Sequence, residues 1–372
     1  TLGLLAVLLV LVALALAQLD VSGLLGYIWD AIDRRTYERF IGDCATSEPA
    51  QIETSSFDGL TGDVHVVYAT DAEGFRGLMT SMVSLLRHAE SPGDYVIHVI
   101  VPIEDMDQAS RLVDCLQVGL NDIDIIPVVK LHALRHTTLN LASFKEVWTE
   151  AWPAGAKFLT HLSFVQFYLP EYLPAAPRAV WLDVDTIIRF DLGRLYRNPM
   201  RTALAAAMDI KWATWRAVYE SLLDQVDASV LKDIPELDAQ TFNTGILVFD
   251  LERWKEEGLT SKVEAQAMRV SGVKLSHLAL NLEFKNRFDV LDWRWNVMGL
   301  MMIPPQRCID EARILHWPLG PNRPWDESLP QRLQTFYQNL TSPYALAPAC
   351  KWDDGVKMLE SDVDIFAPEG NA

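Results

Sequence analysis

The sequence predicts an α/β fold with a mostly parallel central sheet flanked by helices. From Asp63 onward, β-rich runs alternate with stretches of helical periodicity, and this alternation produces a parallel sheet. Two of the runs, Val64–Ala69 and Arg178–Leu182, end close to acidic residues. Sheets of this kind bind ligands outside the carboxyl ends of their strands. We therefore expect a binding site along one rim of the sheet.

The predicted elements follow one another in this order. Strands over residues 64–69, 95–101, 123–129 and 178–182 alternate with helices over 78–87, 106–116 and 164–173. In the first helix, Met79, Met82, Val83 and Leu86 fall on one face. A helical insertion at 211–237, a strand at 244–249 and a helix at 252–268 come next. A final strand from Ile314 runs into a Gly/Pro loop.

The ends of the chain differ from this α/β region. Residues 2–17 carry no charge and would span about 24 Å as a helix, against about 30 Å for a bilayer core. We interpret 1–19 as a signal anchor or a cleaved signal peptide, which sends the chain into the secretory pathway. Residues 20–62 are predicted to be a stem, 63–330 the catalytic domain and 331–372 a C-terminal tail. The glycosylation sequon at Asn339 agrees with that route.

The net charge argues against a nucleic-acid partner, and the cysteine spacing argues against a zinc site. The 372 residues carry a net charge of −18, which argues against a nucleic-acid partner. The four cysteines contain no C-x-x-C pair, so a zinc site is not expected. An even number permits disulfides in a secreted chain, but the spacing does not give the pairing. The cysteines are Cys44, Cys115, Cys308 and Cys350.

The segment Asp183-Val184-Asp185 is the most informative motif. Its two carboxylates directly follow an apolar strand, where both can face one site. Hard oxygen ligands suit Mn²⁺ or Mg²⁺, which keep open positions for phosphate oxygens. Such a triplet also occurs in ordinary acidic turns. The interpretation as a metal site therefore depends on finding further candidate site residues at the ends of other strands. Asp71 follows the first strand, and His316 ends the last one.

Six segments, taken in order, resemble the family 8 glycosyltransferases. These are retaining GT-A enzymes that include glycogenin and the plant galacturonosyltransferases, and the nearest branch is the animal glycosyltransferase 8 domain-containing proteins. The resemblance implies a GT-A type nucleotide-sugar-binding domain. It also implies retaining transfer of a hexose, pentose or uronic acid from a UDP-sugar to a glycan or protein acceptor. The matching segments are 64–71, 162–174, 178–185, 242–254, 295–300 and 315–325.

The resemblance assigns a role to each matched residue. Asp183 and Asp185 are expected to bind Mn²⁺ or Mg²⁺, with His316 as the third ligand. Asn243 is expected to face sugar and acceptor, and Arg323 to cover the β-phosphate. With the N-terminal segment, the resemblance also implies a type II Golgi membrane protein with a luminal catalytic domain, or a secreted protein if that segment is cleaved. The expected UDP-sugar contacts are Ala69, Thr70, Asp71, Asp183, Val184, Asp185, Gly245, Gly320 and Arg323.

The chain departs from the family pattern in three places. An extra residue separates His316 from Gly320, and Arg323 replaces a lysine. Gln166 stands where the family commonly has arginine. The triplet Ser276-His277-Leu278 replaces an acidic, glutamine-containing triplet near the reaction centre. No nucleophile can be named.

Two alternative functions follow from these departures and from the motif. A luminal pseudoenzyme would bind a nucleotide sugar without turnover. A haloacid-dehalogenase-type phosphatase would use the segment Asp183-Val184-Asp185-Thr186, which is similar to its D-x-D-x-T motif but one residue shorter, with Asp183 attacking phosphorus. That fold usually carries the motif on its first strand, whereas three predicted strands precede it here.

Overall fold

The computed structural model describes most of the chain between residues 62 and 358. The predicted signal segment, the stem, Gly320 and Arg323 lie outside the described residues. Within the described part, no helix is both long and apolar enough to cross a bilayer. The gaps are 121–122, 124–126, 136, 152–159, 212, 217–229, 231, 233, 235, 271–274, 286, 301–303, 319–323, 325–330, 345–351 and 354–356.

A seven-stranded sheet forms the centre of the described structure. The strands, in chain order, are β1 (Val64–Ala69), β2 (Tyr95–Val101), β3 (Val128–Ala133), β4 (Arg178–Leu182), β5 (Thr186–Ile188), β6 (Leu204–Met208), β7 (Phe242–Asp250), β8 (Asp289–Val290), β9 (Ile314–His316), β10 (Trp352–Asp353) and β11 (Lys357–Met358). The sheet order is β3-β2-β1-β4-β7-β6-β8, with β5–β9 and β10–β11 as separate pairs.

The sheet is mostly parallel, and its one reversed strand matters for the site. Strands β1 to β4 run parallel, whereas β7 is antiparallel to both β4 and β6. The first residues of β7 therefore lie at the rim where β1 and β4 end. This reversal places Asn243, near the start of β7, beside the residues that follow the ends of β1 and β4.

Helices cover both faces of the sheet. The described helices are α1 (Phe75–His88), α2 (Met106–Gly119), α3 (Leu141–Ala151), α4 (Leu169–Tyr172), α5 (Leu192–Tyr196), α6 (Leu251–Glu256), α7 (Leu259–Arg269), α8 (Leu275–Phe284), α9 (Gln306–Glu311) and α10 (Gln331–Thr341). Strand alternation divides the core: Val66 and Tyr68 pack into one apolar cluster, and Val67 into the other. Tyr337 of α10 is fully buried in the first cluster, so residues after 330 contribute to the core. The predicted domain bounds themselves stay a prediction.

Several element bounds differ from the predictions. The third strand lies at Val128–Ala133 rather than 123–129. The helix predicted over 252–268 is two helices, because Gly258 takes a left-handed conformation with φ +62° between them. The helix predicted over 164–173 is a 3₁₀ segment, His161–Tyr168, followed by α4. Pro170 lies in the first turn of α4, where its missing N–H costs no helical hydrogen bond.

Candidate metal and donor site

Three potential metal ligands lie together at the rim of the sheet. One donor atom from each of Asp183, Asp185 and His316 lies within 4.8 Å of the other two. Nε2 of His316 is 3.7 Å from Oδ2 of Asp183 and 3.5 Å from Oδ1 of Asp185. His316 is fully buried, whereas 41% of the Asp183 side chain is exposed. The group is therefore closed on the histidine side and open at Asp183.

Pairing of β5 with β9 brings the histidine to the two aspartates. Strand β5 begins directly after Asp185, and its first residue, Thr186, pairs with His316 in an antiparallel register. The backbone N–H of Trp317 donates to the Asp185 carbonyl at 3.0 Å, which continues the pairing past the strand. A ligand more than a hundred residues away in sequence is thereby fixed beside the acidic pair.

Buried hydroxyl groups hold the turn that carries the aspartates. The Thr186 hydroxyl donates to the Asp183 carbonyl at 2.8 Å and lies 2.8 Å from the Ser81 hydroxyl of α1. The Trp181 indole N–H donates to Oδ1 of Asp183 at 3.0 Å. The backbone N–H of Asp183 donates to the Gly245 carbonyl at 2.8 Å. The Asp183 carboxylate is thus oriented before any ligand arrives.

A chain of side-chain amides orients the imidazole of His316. Nδ1 of His316 lies 2.9 Å from Oδ1 of Asn296, so Nδ1 carries a proton and Nε2 faces the aspartates. The Asn296 amide N–H donates to Oδ1 of Asn243 at 2.9 Å, and that oxygen also accepts from the Gly245 N–H at 2.9 Å. Partners of this kind fix the tautomer and ring orientation of a metal-binding histidine.

The absence of a side chain at residue 245 leaves the space that the ligands occupy. A Cβ atom there would lie 2.2 Å from Cε1 and 2.7 Å from Nε2 of His316, and 2.8 Å from Oδ2 of Asp183. All three distances are shorter than non-bonded contacts. Glycine is therefore required by the close approach of β7 to the two ligands, and not by its backbone conformation.

The donor set fits a divalent cation such as Mn²⁺ or Mg²⁺. Nε2 of His316 is buried and has no hydrogen-bond partner among the described residues, as expected for a nitrogen that binds an ion. Burial opposes a charge on His316, but Asp183 and Asp185 outweigh burial and raise its pKa to about 9. The two carboxylates thus favour positive charge at Nε2. Two carboxylates and one imidazole suit Mn²⁺ by ligand type.

The ligand group opens into a cavity of about 610 Å³. The end of β1 and the turn after it supply one wall, through Thr70 and Asp71, which were predicted to contact the UDP-sugar. Gly74 lies so close to Thr70 that a Cβ at residue 74 would lie 2.0 Å from the Thr70 hydroxyl oxygen. The full lining is Ala69, Thr70, Asp71, Glu73, Gly74, Thr160, Leu162, Ser163, Gln166, Trp181, Asp183, Val184, Asp185, Thr244, Ser276 and His277.

Asp209 is a site residue that the sequence interpretation missed. It follows β6 directly and accepts from the Ile210 N–H at 2.7 Å. Oδ2 of Asp209 lies 3.8 Å from Nε2 of His277, which lines the cavity. Burial raises the pKa of Asp209 to about 6, partly offset by the Ile210 N–H, by His316 and by Asn243. A largely buried carboxylate therefore lies beside the residues that orient His316.

The structure brings most of the predicted site residues to one place. Ala69, Thr70, Asp71, Asp183, Val184 and Asp185 line the cavity, and His316, Asn243 and Gly245 lie directly behind it. Gly320 and Arg323 are outside the described residues, so their predicted contacts with the diphosphate stay predictions. The roles of all these residues likewise stay predictions.

Known proteins with similar sequences and folds are glycosyltransferases by name. The profile described as Glycosyl transferase family 8 matches residues 65–328. Glycosyltransferase 8 domain-containing protein 1 of Rattus norvegicus is 23% identical over 288 residues, which is 71% of this chain and 73% of the rat protein. Probable galacturonosyltransferase-like 3 of Arabidopsis thaliana is 25% identical over 296 residues, covering 76% of this chain and 80% of that protein.

Similarity to solved structures concerns the fold. The structure of the galactosyltransferase LgtC in complex with donor and acceptor sugar analogs aligns with a TM-score of 0.50 and 16% identity. That alignment covers 75% of this chain and 96% of LgtC. Two longer structural neighbours are covered to only 48% and 61% of their length.

The mostly parallel sheet, its flanking helices and the acidic pair at its rim define a GT-A glycosyltransferase fold. The family match covers well over half of the chain, and the chain belongs to glycosyl transferase family 8. The predicted fold class and the predicted family are both confirmed. The phosphatase alternative is wrong, because the chain belongs to a glycosyltransferase family and Asp183-Val184-Asp185-Thr186 follows β4 of a GT-A sheet.

Proposed function

We propose that this glycosyltransferase uses a divalent metal ion to transfer a hexose, pentose or uronic acid from a UDP-sugar, with retention, to a glycan or protein acceptor. One observation carries the proposal. Asp183, Asp185 and His316 form a metal-ligand set that opens into a cavity lined by Thr70 and Asp71. A diphosphate in the cavity would reach the ion from the exposed side of Asp183.

The chemistry requires stabilisation of a leaving diphosphate. The bond between the anomeric carbon and the β-phosphate oxygen breaks while a bond to the acceptor oxygen forms. The acceptor's hydroxyl proton passes to the departing phosphate oxygen. Asp183, Asp185 and His316 would hold Mn²⁺ or Mg²⁺, which supplies Lewis-acid stabilisation of that charge when bound.

The protein's own groups orient the reactants. Asn296 and Asn243 hold the His316 ring, and Trp181 holds Asp183, so the ligands need little rearrangement on binding. Asp209 lies beside Asn243 and His277, and His277 lines the cavity. The negative charge of Asp209 would stabilise the positive charge that develops on the sugar ring.

Cysteine oxidation supports a secretory location. Cys115 and Cys308 each take part in a disulfide bond. Disulfides persist in oxidising compartments. Together with the uncharged segment at 2–17, this supports a type II Golgi membrane protein with a luminal catalytic domain, or a secreted protein if the segment is cleaved.

The test uses a panel of UDP-sugars in the presence of Mn²⁺. Calorimetry measures UDP binding, and turnover is measured as UDP release in the presence of candidate acceptors. Asp185→Ala should abolish both metal-dependent UDP binding and turnover. Asp310→Ala removes an exposed carboxylate of α9 that does not line the cavity and should change neither. Unchanged UDP binding and turnover in Asp185→Ala would contradict the proposal.

The same panel separates the enzyme from a luminal pseudoenzyme. Gln166 and His277 line the cavity at two of the positions where the chain departs from the family pattern. UDP binding without even slow donor hydrolysis would favour the pseudoenzyme. Acceptor-dependent UDP release excludes it.

A further inference from the structure

Asp105 occupies a helix-capping position but does not cap its own helix. It directly precedes α2, where an aspartate usually has an extended backbone and accepts a hydrogen bond from the first turn of the helix. Asp105 instead has φ −99° and ψ −2°, because it is also the last residue of the 3₁₀ turn Ile103–Asp105. Its side chain accepts no hydrogen bond from the first turn of α2, all of which the structure describes. The carboxylate points to a neighbouring loop.

That loop forms a wall of the cavity beside the metal-ligand group. Oδ2 of Asp105 accepts a hydrogen bond from the backbone N–H of Ala72 at 3.0 Å. Ala72 begins the 3₁₀ turn Ala72–Gly74, which connects β1 to α1. Asp105 is not among the residues that line the cavity, so it supports this wall from outside. The lining residues on either side of Ala72 are Thr70, Asp71, Glu73 and Gly74.

The hydrogen bond from Ala72 to Asp105 leaves the Asp71 carboxylate available. Asp71 directly precedes the 3₁₀ turn, a position from which an aspartate can accept from the N–H groups of the turn. Its side chain makes no such bond within this described turn, is exposed and lines the cavity. One of the N–H groups at the start of the turn, that of Ala72, is satisfied by Asp105 instead. Asp105 thus does the capping, and Asp71 can face a ligand.

Two contacts fix this loop to neighbouring elements. The Thr70 N–H donates to the Ile100 carbonyl of β2 at 3.0 Å, which holds the start of the loop. The Asp105 carboxylate holds Ala72 to the start of α2. A hydrogen bond to a charged acceptor is stronger than one between neutral groups. The Asp105 contact therefore limits the movement of the turn that carries the lining residues.

We propose that Asp105 is a positioning residue for the donor, which caps the turn Ala72–Gly74 from the start of α2 so that Asp71 stays free and the cavity wall is in place before UDP binds. The proposal rests on the proposed UDP-sugar transferase function. Asp105 acts through the loop and does not touch the metal ligands. Its loss should therefore weaken UDP binding without weakening Mn²⁺ binding, because the loop must then be ordered when UDP binds.

The test compares two affinities in each variant. Calorimetry gives the UDP affinity at saturating Mn²⁺, and a separate titration gives the Mn²⁺ affinity without UDP. Asp105→Ala should weaken UDP binding at least about fivefold and leave Mn²⁺ affinity within about twofold. Asp105→Asn keeps an oxygen acceptor for the Ala72 N–H and should bind UDP within about threefold of the wild type. Asp107→Ala removes an exposed carboxylate in the first turn of α2 and should change neither affinity.

Amide hydrogen exchange, measured by NMR without UDP, tests the loop itself. The Ala72 amide should exchange faster in Asp105→Ala than in the wild type. An unchanged Ala72 exchange rate, wild-type UDP affinity in Asp105→Ala, or equal losses of UDP and Mn²⁺ affinity would each overturn the proposal. A loss of UDP affinity in Asp105→Asn as large as in Asp105→Ala would also overturn it, since the acceptor would then not be what matters. Failure of the wild-type protein to bind UDP would instead refute the proposed function.

Discussion

Replacement of Gly245 by alanine tests whether the ligand group binds a metal ion in the arrangement described. The added Cβ would lie 2.2 Å from Cε1 of His316 and 2.8 Å from Oδ2 of Asp183. His316 has no open side into which it can turn, because it is fully buried and hydrogen-bonded to Asn296. The substitution must therefore move the imidazole, the Asp183 carboxylate or β7.

The size of the effect follows from the cost of overpacking. An added methyl group in a packed site typically costs about 1–3 kcal/mol. If the strain is relieved by displacing His316 or Asp183, the same free energy appears as weaker metal binding. One to three kcal/mol corresponds to a loss of affinity of about 5-fold to 150-fold.

The assay is a Mn²⁺ titration followed by electron paramagnetic resonance of the unbound ion, with urea unfolding measured in parallel. Gly258→Ala is the matched control, since a Cβ there meets no atom within 4 Å but the backbone has φ +62°. That control should lose about 1 kcal/mol of stability through backbone strain and keep its Mn²⁺ affinity. Wild-type Mn²⁺ affinity together with wild-type stability in a folded Gly245→Ala protein would refute the assignment of the ligand group.

Three further predictions concern other residues. Asn296→Ala removes the hydrogen bond that orients His316, and should weaken Mn²⁺ binding by about 10-fold to 100-fold in the same titration; unchanged affinity would contradict the orienting role. Asp209→Asn should lower acceptor-dependent UDP release by at least about tenfold while Mn²⁺ affinity stays within about twofold, because Asp209 is not one of the three proposed metal ligands; equal losses in both would contradict that separation. Burial and the neighbouring His132 lower the pKa of His98 to about 3, so between pH 6.5 and 3 the unfolded chain takes up a proton that the folded chain does not. As the pH is lowered through that window, stability should decrease by up to about 1.4 kcal/mol per pH unit. Urea unfolding of His98→Asn should show a weaker pH dependence of stability. A pH dependence equal to that of the wild type would contradict the prediction.

The acidic pair illustrates what a local pattern can predict. Asp183 and Asp185 follow a short apolar strand, and the structure places them at the rim of the sheet as expected. His316 was placed with them by resemblance and by its position at a strand end. Its contact with the pair depends on the pairing of β5 with β9. A pairing between distant segments cannot be predicted from the periodicity of either segment.

Asp209 carries a signal that the sequence interpretation overlooked. It is an acid directly after the apolar strand β6, which is the same signal that singled out Asp183. Asn296 has no comparable signal, because its importance arises from contacts with His316 and Asn243 that only the folded chain creates. Ser81 looks like any small residue on a helix, yet its hydroxyl contacts Thr186 and supports the turn that carries Asp183 and Asp185.

Two errors in element bounds have different causes, one local and one tertiary. The helix predicted over 252–268 continued the apolar periodicity across Gly258, and the left-handed glycine ends one helix before the next begins. The strand predicted at 123–129 lies in a segment rich in β-branched residues, whereas the pairing partner β2 selects Val128–Ala133. Tertiary pairing decided that register, and β propensity alone did not.

Pulsed electron paramagnetic resonance of bound Mn²⁺ tests the central assignment most directly. The ion should show a hyperfine coupling to one directly bound imidazole nitrogen. The coupling should disappear in His316→Gln and remain in His277→Gln, whose imidazole faces Asp209 instead. Mn²⁺ bound without a nitrogen coupling, or with one that survives in His316→Gln, would contradict the assignment of Asp183, Asp185 and His316 as the metal ligands.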